Sequence, residues 1–198
     1  MITVKNLVKT FGSTRALDDL SFQIGRGEIV GLLGPNGAGK TTTMRVLTGY
    51  LAADSGQVEI AGLPLDTLHL TKIQQKIGYL PENNPLYKGM LVSEFLNLSA
   101  DLKALPKAGR KKELDLAVSS VSIGDVYYRP IGELSKGYRQ RVGLAASLLG
   151  SPDIVIMDEP TEGLDPNQRT ETRNLIKGVA KNRTVILSTH VMQEALAL

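Results

Sequence analysis

The sequence has no cysteine and no tryptophan, and only two histidines occur among its 198 residues. Without cysteine the chain forms neither disulfides nor thiolate metal sites, so nothing points to an oxidising compartment. Two histidines do not by themselves build a zinc site. No apolar run approaches about 20 residues, the length that spans a bilayer, and residues 1–5 lack a signal-peptide pattern. We therefore expect a cytoplasmic chain that meets a membrane only through a partner.

The charge of the chain is nearly balanced. Its 23 basic and 20 acidic residues give a net charge of +3, which is too small an excess to imply nucleic-acid binding. The length suits one compact domain, or one core with a small inserted lobe. We therefore expect no nucleic-acid partner.

The hydrophobic pattern changes twice along the chain. Apolar residues alternate with polar ones in the first third, which is typical of half-buried antiparallel strands. In the middle they recur at helical spacing, and a third helix is predicted to start near Ser135 and to run to Leu149. Continuous apolar runs at 154–157 and 184–187 then alternate with helical patterns. This alternation predicts an α/β fold with a mostly parallel sheet.

One glycine-rich segment points to chemistry. Residues 34–41, GPNGAGKT, fit the G-x-x-x-x-G-K-[ST] pattern of a phosphate-binding loop, between the apolar run 28–33 and a helical pattern. In such a loop the backbone N–H groups curl inward, with the positive end of the helix behind them. Lys40 then reaches the β- and γ-phosphates, and the Thr41 hydroxyl holds Mg²⁺. A surface turn that happens to precede a lysine is the alternative, and the strand and helix on either side favour nucleotide binding.

A second constellation is acidic. Residues 154–159, IVIMDE, form a hydrophobic strand pattern that ends in two carboxylates. The carboxyl ends of parallel strands are where ligands bind in such sheets. We expect Asp158 to hold the same Mg²⁺ and Glu159 to orient and deprotonate a water behind the γ-phosphate. A solvated acidic turn would be the better interpretation if the phosphate loop were absent.

Further segments follow in a recognisable order. Residues 134–141, LSKGYRQR, resemble the signature segment of ATP-binding-cassette ATPases. DEPT at 158–161 and GLDP at 163–166 are similar to the D-loop region of that family, and STH at 188–190 is similar to its switch histidine. IGYLPE at 77–82 lies where the family has its glutamine loop. The resemblance covers nearly the whole chain and is strongest to ATPase subunits of multidrug, gliding-motility and related export systems.

This resemblance implies a P-loop NTPase core with an N-terminal antiparallel β subdomain, at about 1–30 and 57–66, and an inserted helical subdomain at about 86–150. It implies that Phe11 stacks on adenine, although Phe11 can equally be an ordinary apolar residue at a strand end. It also implies that His190 touches the γ-phosphate and that Glu159 and His190 are the two catalytic residues. The other nucleotide contacts would be Gly34, Asn36, Gly37, Ala38, Gly39, Lys40, Thr41 and Thr42.

Members of the family clamp ATP between two head-to-tail copies. The resemblance therefore implies that Ser135 and Gly137 serve the nucleotide of the opposite subunit and that Asp165 lies at the dimer seam. Ser135 is also suited to be a helix cap, and the two roles are compatible.

The chain departs from the family pattern at three places. Glu82 replaces the usual glutamine, and we interpret it as an additional Mg²⁺ ligand. Lys136 and Tyr138 replace a glycine and a glutamine, and the Lys136 charge either lies near the γ-phosphate of the partner subunit or faces solvent. The chain ends at Leu198, where family domains usually continue, so we expect either a truncated copy or an unusually short C-terminal part.

The predicted function is that of an ATP-hydrolysing subunit that drives a separate membrane permease, in an exporter, from the inner face of the cell membrane. The segment 82–90, with Leu86, Tyr87, Met90 and Phe95 as apolar contacts, can form the docking surface or belong to the local core. Two alternatives are a cassette ATPase that acts on ribosomes or DNA without a permease, and a regulatory ATP binder without turnover. Long coiled coils and basic extensions typical of the former are missing from the sequence.

Overall fold

The structure is a computed structural model and describes residues 1–197. Its strands are β1 Ile2–Phe11, β2 Thr14–Ile24, β3 Ile29–Leu33, β4 Ser55–Ile60, β5 Leu63–Pro64, β6 Ile77–Leu80, β7 Ile154–Met157 and β8 Thr184–Thr189. Its helices are α1 Lys40–Leu47, α2 Leu70–Gln75, α3 Val92–Leu102, α4 Arg110–Ser120, α5 Lys136–Leu148, α6 Pro166–Ala180 and α7 Met192–Leu196.

These strands form two four-stranded sheets. One is antiparallel with the order β2-β1-β4-β5, and the other is parallel with the order β3-β8-β7-β6. The predicted α/β fold, with an antiparallel subdomain beside a mostly parallel sheet, is thereby confirmed. The predicted antiparallel region at about 1–30 extends too far, because Ile29 and Val30 pair with β8 in the parallel sheet. A short apolar strand whose alternate residues are only partly buried does not reveal from its sequence which sheet it joins.

Helices α3, α4 and α5 pack together over one side of the parallel sheet. Helix α3 buries Val92, Leu96 and Ala100, which are four residues apart and therefore lie on one face of the helix. Burying a leucine or valine of this kind contributes about 1.5–3 kcal/mol. Helix α5 begins at Lys136, where the Ser135 hydroxyl accepts a hydrogen bond from the Tyr138 N–H. The helical insert is thus a packed lobe that continues the core of the sheet.

The parallel sheet determines where the functional segments lie. Strands β7 and β8 are fully buried, as expected for central strands covered on both faces. The carboxyl ends of β3, β6, β7 and β8 lie at the same edge of the sheet. That edge carries the phosphate loop, Glu82, the Asp158–Glu159 pair and His190. Within residues 1–197 we find no helix that combines the length and the apolar character required to cross a membrane.

Candidate functional site

The phosphate loop owes its shape to two glycines in left-handed backbone conformation. Gly37 has φ 84° and Gly39 has φ 86°, values that residues with a side chain rarely adopt. A Cβ atom on Gly39 would also lie 2.5 Å from the carbonyl oxygen of Ala16. Gly39 is the N-cap residue of α1, so the loop passes directly into the helix. The first N–H groups of α1, which have no acceptor within the helix, are available to an anion.

Lys40 folds back across this loop. Its Nζ donates hydrogen bonds to the carbonyl oxygens of Gly34, at 2.6 Å, and Pro35, at 3.1 Å. It also lies 3.4 Å from Oε1 of Glu159. That separation is an ion-pair contact without hydrogen-bond geometry, since Oε1 of Glu159 is buried and has no hydrogen-bond partner. The ammonium group and the carboxylate therefore face each other at the phosphate loop.

Asp158 is almost completely buried, at 1% exposure. Its Oδ1 accepts a 2.6 Å hydrogen bond from the Ser188 hydroxyl, while Oδ2 is buried and has no partner among residues 1–197. Buried carboxylate oxygens are normally satisfied, so a single free oxygen suggests a ligand. An anionic oxygen is the ligand type that Mg²⁺ prefers. Asp158 and the Thr41 hydroxyl thus fit a magnesium ion in chemistry.

Glu159 is held in an unusual backbone conformation. Its φ is 46°, which for a residue with a side chain carries a strain of about 1–3 kcal/mol. The Ser188 hydroxyl accepts a 2.8 Å hydrogen bond from the Glu159 N–H, and the same hydroxyl donates to Asp158. Ser188 therefore fixes both acidic residues from the neighbouring strand. In the sequence Ser188 belongs to the STH segment, which predicts a role for His190 but none for Ser188.

His190 approaches the same carboxylate from β8. Its Nδ1 lies 3.0 Å from Oε2 of Glu159, and its Nε2 lies 3.6 Å from Oε2 of Glu162. Glu162 was not predicted as a site residue. The sequence pattern does not predict Glu162, because this residue lies in a turn whose position next to His190 depends on the fold. His190 thus connects Glu159 to a second, exposed carboxylate.

These groups enclose a cleft with a volume of about 440 Å³. Phe11 lies at one wall, where it is 50% exposed at the end of β1. The other predicted residues that line the cleft are Asn36, Gly37, Ala38, Gly39, Lys40, Thr41, Thr42, Glu82, Glu159 and His190. Asp158 adjoins it next to Glu159, and Gly34 starts the loop. The structure therefore brings the predicted nucleotide, metal and catalytic residues together at one edge of the sheet.

Three predicted residues lie outside this cleft. Ser135 caps α5, Asp165 caps α6 by accepting a 2.9 Å hydrogen bond from the Gln168 N–H, and Gly137 lies against the Gln168 side chain. They form a second cluster at the starts of α5 and α6. The neighbouring Lys136 is exposed, and its ammonium group lies next to Gly163 of the same chain. Within one chain the signature segment therefore contacts the GLDP segment and not the phosphate loop.

Comparison with known proteins gives the family. The sequence model of the family described as ABC transporter matches residues 17–162. The chain belongs to the ABC transporter family.

An uncharacterized ABC transporter ATP-binding protein, MJ1023 of Methanocaldococcus jannaschii, is 40% identical over 98% of this chain and 69% of its own length. Nod factor export ATP-binding protein I of Ralstonia nicotianae is 36% identical over 98% of this chain and 61% of its own length. The chain thus spans 61–69% of these two relatives.

Solved structures agree with the assignment. The dimeric post-hydrolysis structure of the ATP-binding cassette MJ0796, bound to ADP and Pi, has a TM-score of 0.87 and 27% identity, and the match covers 100% of this chain and 91% of that one. The ABC membership places this chain in a nucleotide-binding ATPase family with a P-loop fold.

Proposed function

We propose that this chain binds Mg·ATP in the 440 Å³ cleft and hydrolyses it. The observation that carries the proposal is the convergence of Lys40, Asp158, Glu159 and His190 at one edge of the parallel sheet. Two of these residues have buried carboxylate oxygens without a hydrogen-bond partner, Oδ2 of Asp158 and Oε1 of Glu159. Such atoms suit a site that is completed by a cation and a water molecule.

Each residue has a task that follows from its position. Lys40 contacts the phosphates, because its Nζ already lies against the loop, where it donates to the carbonyl oxygens of Gly34 and Pro35. Thr41 and Asp158, with Glu82 as a third oxygen donor, would hold Mg²⁺, which neutralises charge on the β- and γ-phosphate oxygens when bound. Glu159 orients the attacking water and accepts its proton. His190 holds Oε2 of Glu159 through Nδ1, at 3.0 Å, and faces the γ-phosphate position.

A second copy of the chain completes the site in this proposal. Ser135, Gly137 and Asp165 lie together but outside the cleft of their own chain, so in a head-to-tail pair they can serve the nucleotide of the partner. The dimeric MJ0796 cassette, which matches the whole of this chain, supports this arrangement. A hydroxyl and free N–H groups at the start of α5 suit contact with a phosphate.

The output of hydrolysis is proposed to be transport. A groove of about 380 Å³ lies between β6, α3 and α5. Tyr79, Leu80, Pro85, Phe95, Leu102 and Ala146 provide much of its apolar lining. Its occupant would be a cytoplasmic segment of a separate permease, docked next to the segment that carries Glu82. The export-type name of the Ralstonia relative supports an exporter.

The residues predicted as docking contacts do not all line the groove. Phe95 lines the groove, and the exposed Tyr87 packs edge-on against it at 6.2 Å between ring centroids. Leu86 and Phe95 both pack against the core that includes the helical insert, and Leu86 does not line the groove. The docking surface therefore centres on the groove and includes only part of segment 82–90.

The first test is a pair of measurements on Glu159→Gln. The variant keeps the shape of the side chain but loses the base, so we expect phosphate release to fall by about 100-fold or more. Binding of a fluorescent ATP analogue should stay within about two-fold of the wild type, because a glutamine contributes the same uniform contacts. Phosphate release that persists in the variant would contradict the role of Glu159. Co-purification of a membrane protein with several spans would support the transport output.

A further inference from the structure

Glu194 is a buried carboxylate that has no task in the proposed hydrolysis. It lies in α7 and is 8% exposed. A buried carboxylate is costly unless it is paired or hydrogen-bonded. Its contacts therefore indicate why an acidic residue stands at this position.

The first contact connects Glu194 to the catalytic carboxylate. Oε2 of Glu194 accepts a hydrogen bond from the hydroxyl of Thr161, which follows Glu159 by two residues. Thr161 is buried and belongs to the turn after β7, in which the Glu162 N–H donates to the Glu159 carbonyl oxygen at 3.1 Å. A change at Thr161 therefore acts on the segment that holds Glu159 at its strained φ of 46°.

The second contact connects Glu194 to the switch histidine. The Thr189 hydroxyl donates to the same Oε2 at 3.3 Å and accepts from the Val191 N–H at 3.0 Å. Thr189 immediately precedes His190. Its carbonyl oxygen accepts a 3.4 Å hydrogen bond from the N–H of Gly34, the first residue of the phosphate loop. One carboxylate oxygen thus connects the segments that carry both catalytic residues.

A third contact reaches the start of α6. Nε of Arg169 lies 4.0 Å from Oε1 of Glu194 and donates a 2.9 Å hydrogen bond to the carbonyl oxygen of Leu164. Leu164 belongs to the GLDP segment, next to Asp165. The same carboxylate therefore has a weaker electrostatic connection to the proposed dimer seam.

We propose that Glu194 is a positioning residue that sets the distance between Glu159 and His190. This inference rests on the proposed hydrolysis at the same site. Glu194 touches neither the cleft nor the phosphate loop, and it acts through the hydroxyls of Thr161 and Thr189. Oε2 of Glu194 accepts from both hydroxyls at once and so ties the two segments together, and an anionic oxygen forms stronger hydrogen bonds than a neutral one.

The test compares Glu194→Gln with Glu59→Gln, the same chemical change at an exposed position on β4. We expect the kcat for phosphate release to fall by about ten-fold or more in Glu194→Gln, because small displacements of catalytic groups have large effects on rate. The Kd of the fluorescent ATP analogue should stay within about two-fold, since Glu194 does not itself contact the phosphate loop or line the cleft. Glu59→Gln should leave both values unchanged.

An NMR measurement distinguishes a positioning role of Glu194 from a general loss of structure. The chain has only two histidines, so His69→Asn leaves His190 as the sole source of imidazole signals in an NMR spectrum. We expect the His190 ring signals to shift in Glu194→Gln and to stay in place in Glu59→Gln. Because this measurement needs no turnover, it also distinguishes failure of the proposed hydrolysis from failure of the positioning role.

Thr161→Val provides a second route in case Glu194→Gln does not fold. It keeps the side-chain shape and removes one of the two donors, so it should lower kcat and shift the His190 signals in the same direction. Adding Thr161→Val to Glu194→Gln should cause little further loss, since both changes break one network. Unchanged kcat and unchanged His190 signals in the variants would overturn the proposal, and so would a parallel loss of ATP affinity.

Discussion

Two clefts of similar volume lie on either side of the segment that follows β6. The cleft proposed to bind the nucleotide, called the nucleotide cleft below, has a volume of about 440 Å³ and is lined by Lys40, His190 and three carboxylates. The groove beside α3 and α5 has a volume of about 380 Å³, and among residues 1–197 Lys103 is the only charged side chain that lines it. Volume alone does not distinguish a small-molecule site from a protein-docking site. The chemistry of the lining does, because charged groups in a polar cleft suit a triphosphate and an apolar groove suits a protein surface.

The two clefts share one stretch of chain. Glu82 lies in the nucleotide cleft, whereas Pro81, Asn84 and Pro85 line the groove. Asn84 is fixed to α5 because its Nδ2 donates a 2.8 Å hydrogen bond to the carbonyl oxygen of Arg139. Burial, followed by the negative charge of Asp158, raises the pKa of the groove residue Tyr79 to about 12. Changes in one cleft are therefore expected to reach the other through residues 79–85.

The largest expected effect is on ATP affinity, and it should distinguish Lys40 in the nucleotide cleft from Lys103 in the groove. Lys40→Met should weaken binding of the fluorescent ATP analogue by about 100-fold, because a charged hydrogen bond to phosphate contributes about 1.5–3 kcal/mol. Lys103→Met removes the single charge of the groove and should leave ATP affinity unchanged. Similar losses in both variants would show that the two clefts are not functionally distinct. Fluorescence titration at constant salt provides the measurement.

An intermediate effect, on stability, is expected where residues 79–85, the segment shared by the two clefts, meet α5. A Cβ atom on Gly143 would collide with the Asn84 side chain, so Gly143→Ala should lower the free energy of unfolding by about 1–3 kcal/mol. Gly178→Ala in α6 is the matched control, since among residues 1–197 nothing beyond its chain neighbours and the local helix backbone lies within 4 Å of its added Cβ. It should stabilise the protein slightly through helix propensity.

Combining Gly143→Ala with Asn84→Ala tests whether the collision is the cause. The double variant should lose less stability than the sum of the two single variants, because the colliding side chain is gone. Urea denaturation of the four proteins measures this coupling. Strict additivity would show that α5 and the shared segment are independent.

A smaller effect is expected on how the free energy of unfolding depends on pH, through the groove residue Lys103. Burial lowers the pKa of Lys103 to about 8, although its Nζ donates to the carbonyl oxygens of Ser147, at 3.0 Å, and Leu149, at 2.8 Å, which favours the charged form. An unfolded lysine has a pKa of about 10.4. Between pH 8 and 10 the unfolded chain therefore binds more protons, and the contribution of Lys103 to the free energy of unfolding rises with pH.

The measurement compares wild type with Lys103→Met at pH 7.5 and 9.5. We expect the wild type to gain on the order of 1 kcal/mol relative to the variant over this interval. Lys107→Met, at an exposed position, should follow the wild type. An equal pH dependence in wild type and Lys103→Met would contradict the lowered pKa.

The residues of the proposed nucleotide cleft are easier to predict from the sequence than those of the groove, for a physical reason. The phosphate loop and the Asp158–Glu159 pair are local patterns, because backbone conformation and strand ends determine them within a few residues. The groove arises where α3, α5 and β6 pack together, and no short segment contains that information. The role of Ser188 was missed likewise, since its two hydrogen bonds cross from β8 to the end of β7.

The start of α5 and the sheet membership of β3 show the same limit of prediction from sequence. The pattern predicted a helix after Ser135, and α5 begins there because a hydroxyl cap is a local signal. The membership of β3 in the parallel sheet depends on its pairing with β8, more than 150 positions away in the chain. Glu194 likewise acts on residues from two other segments, so its role became visible only with the fold.

The most direct test of the central claim is a structure of Glu159→Gln with Mg·ATP bound. We expect one metal ion between the Thr41 hydroxyl and Oδ2 of Asp158, with the triphosphate along the loop that ends at Lys40. A triphosphate bound elsewhere, or a metal ion that does not contact Asp158, would contradict it.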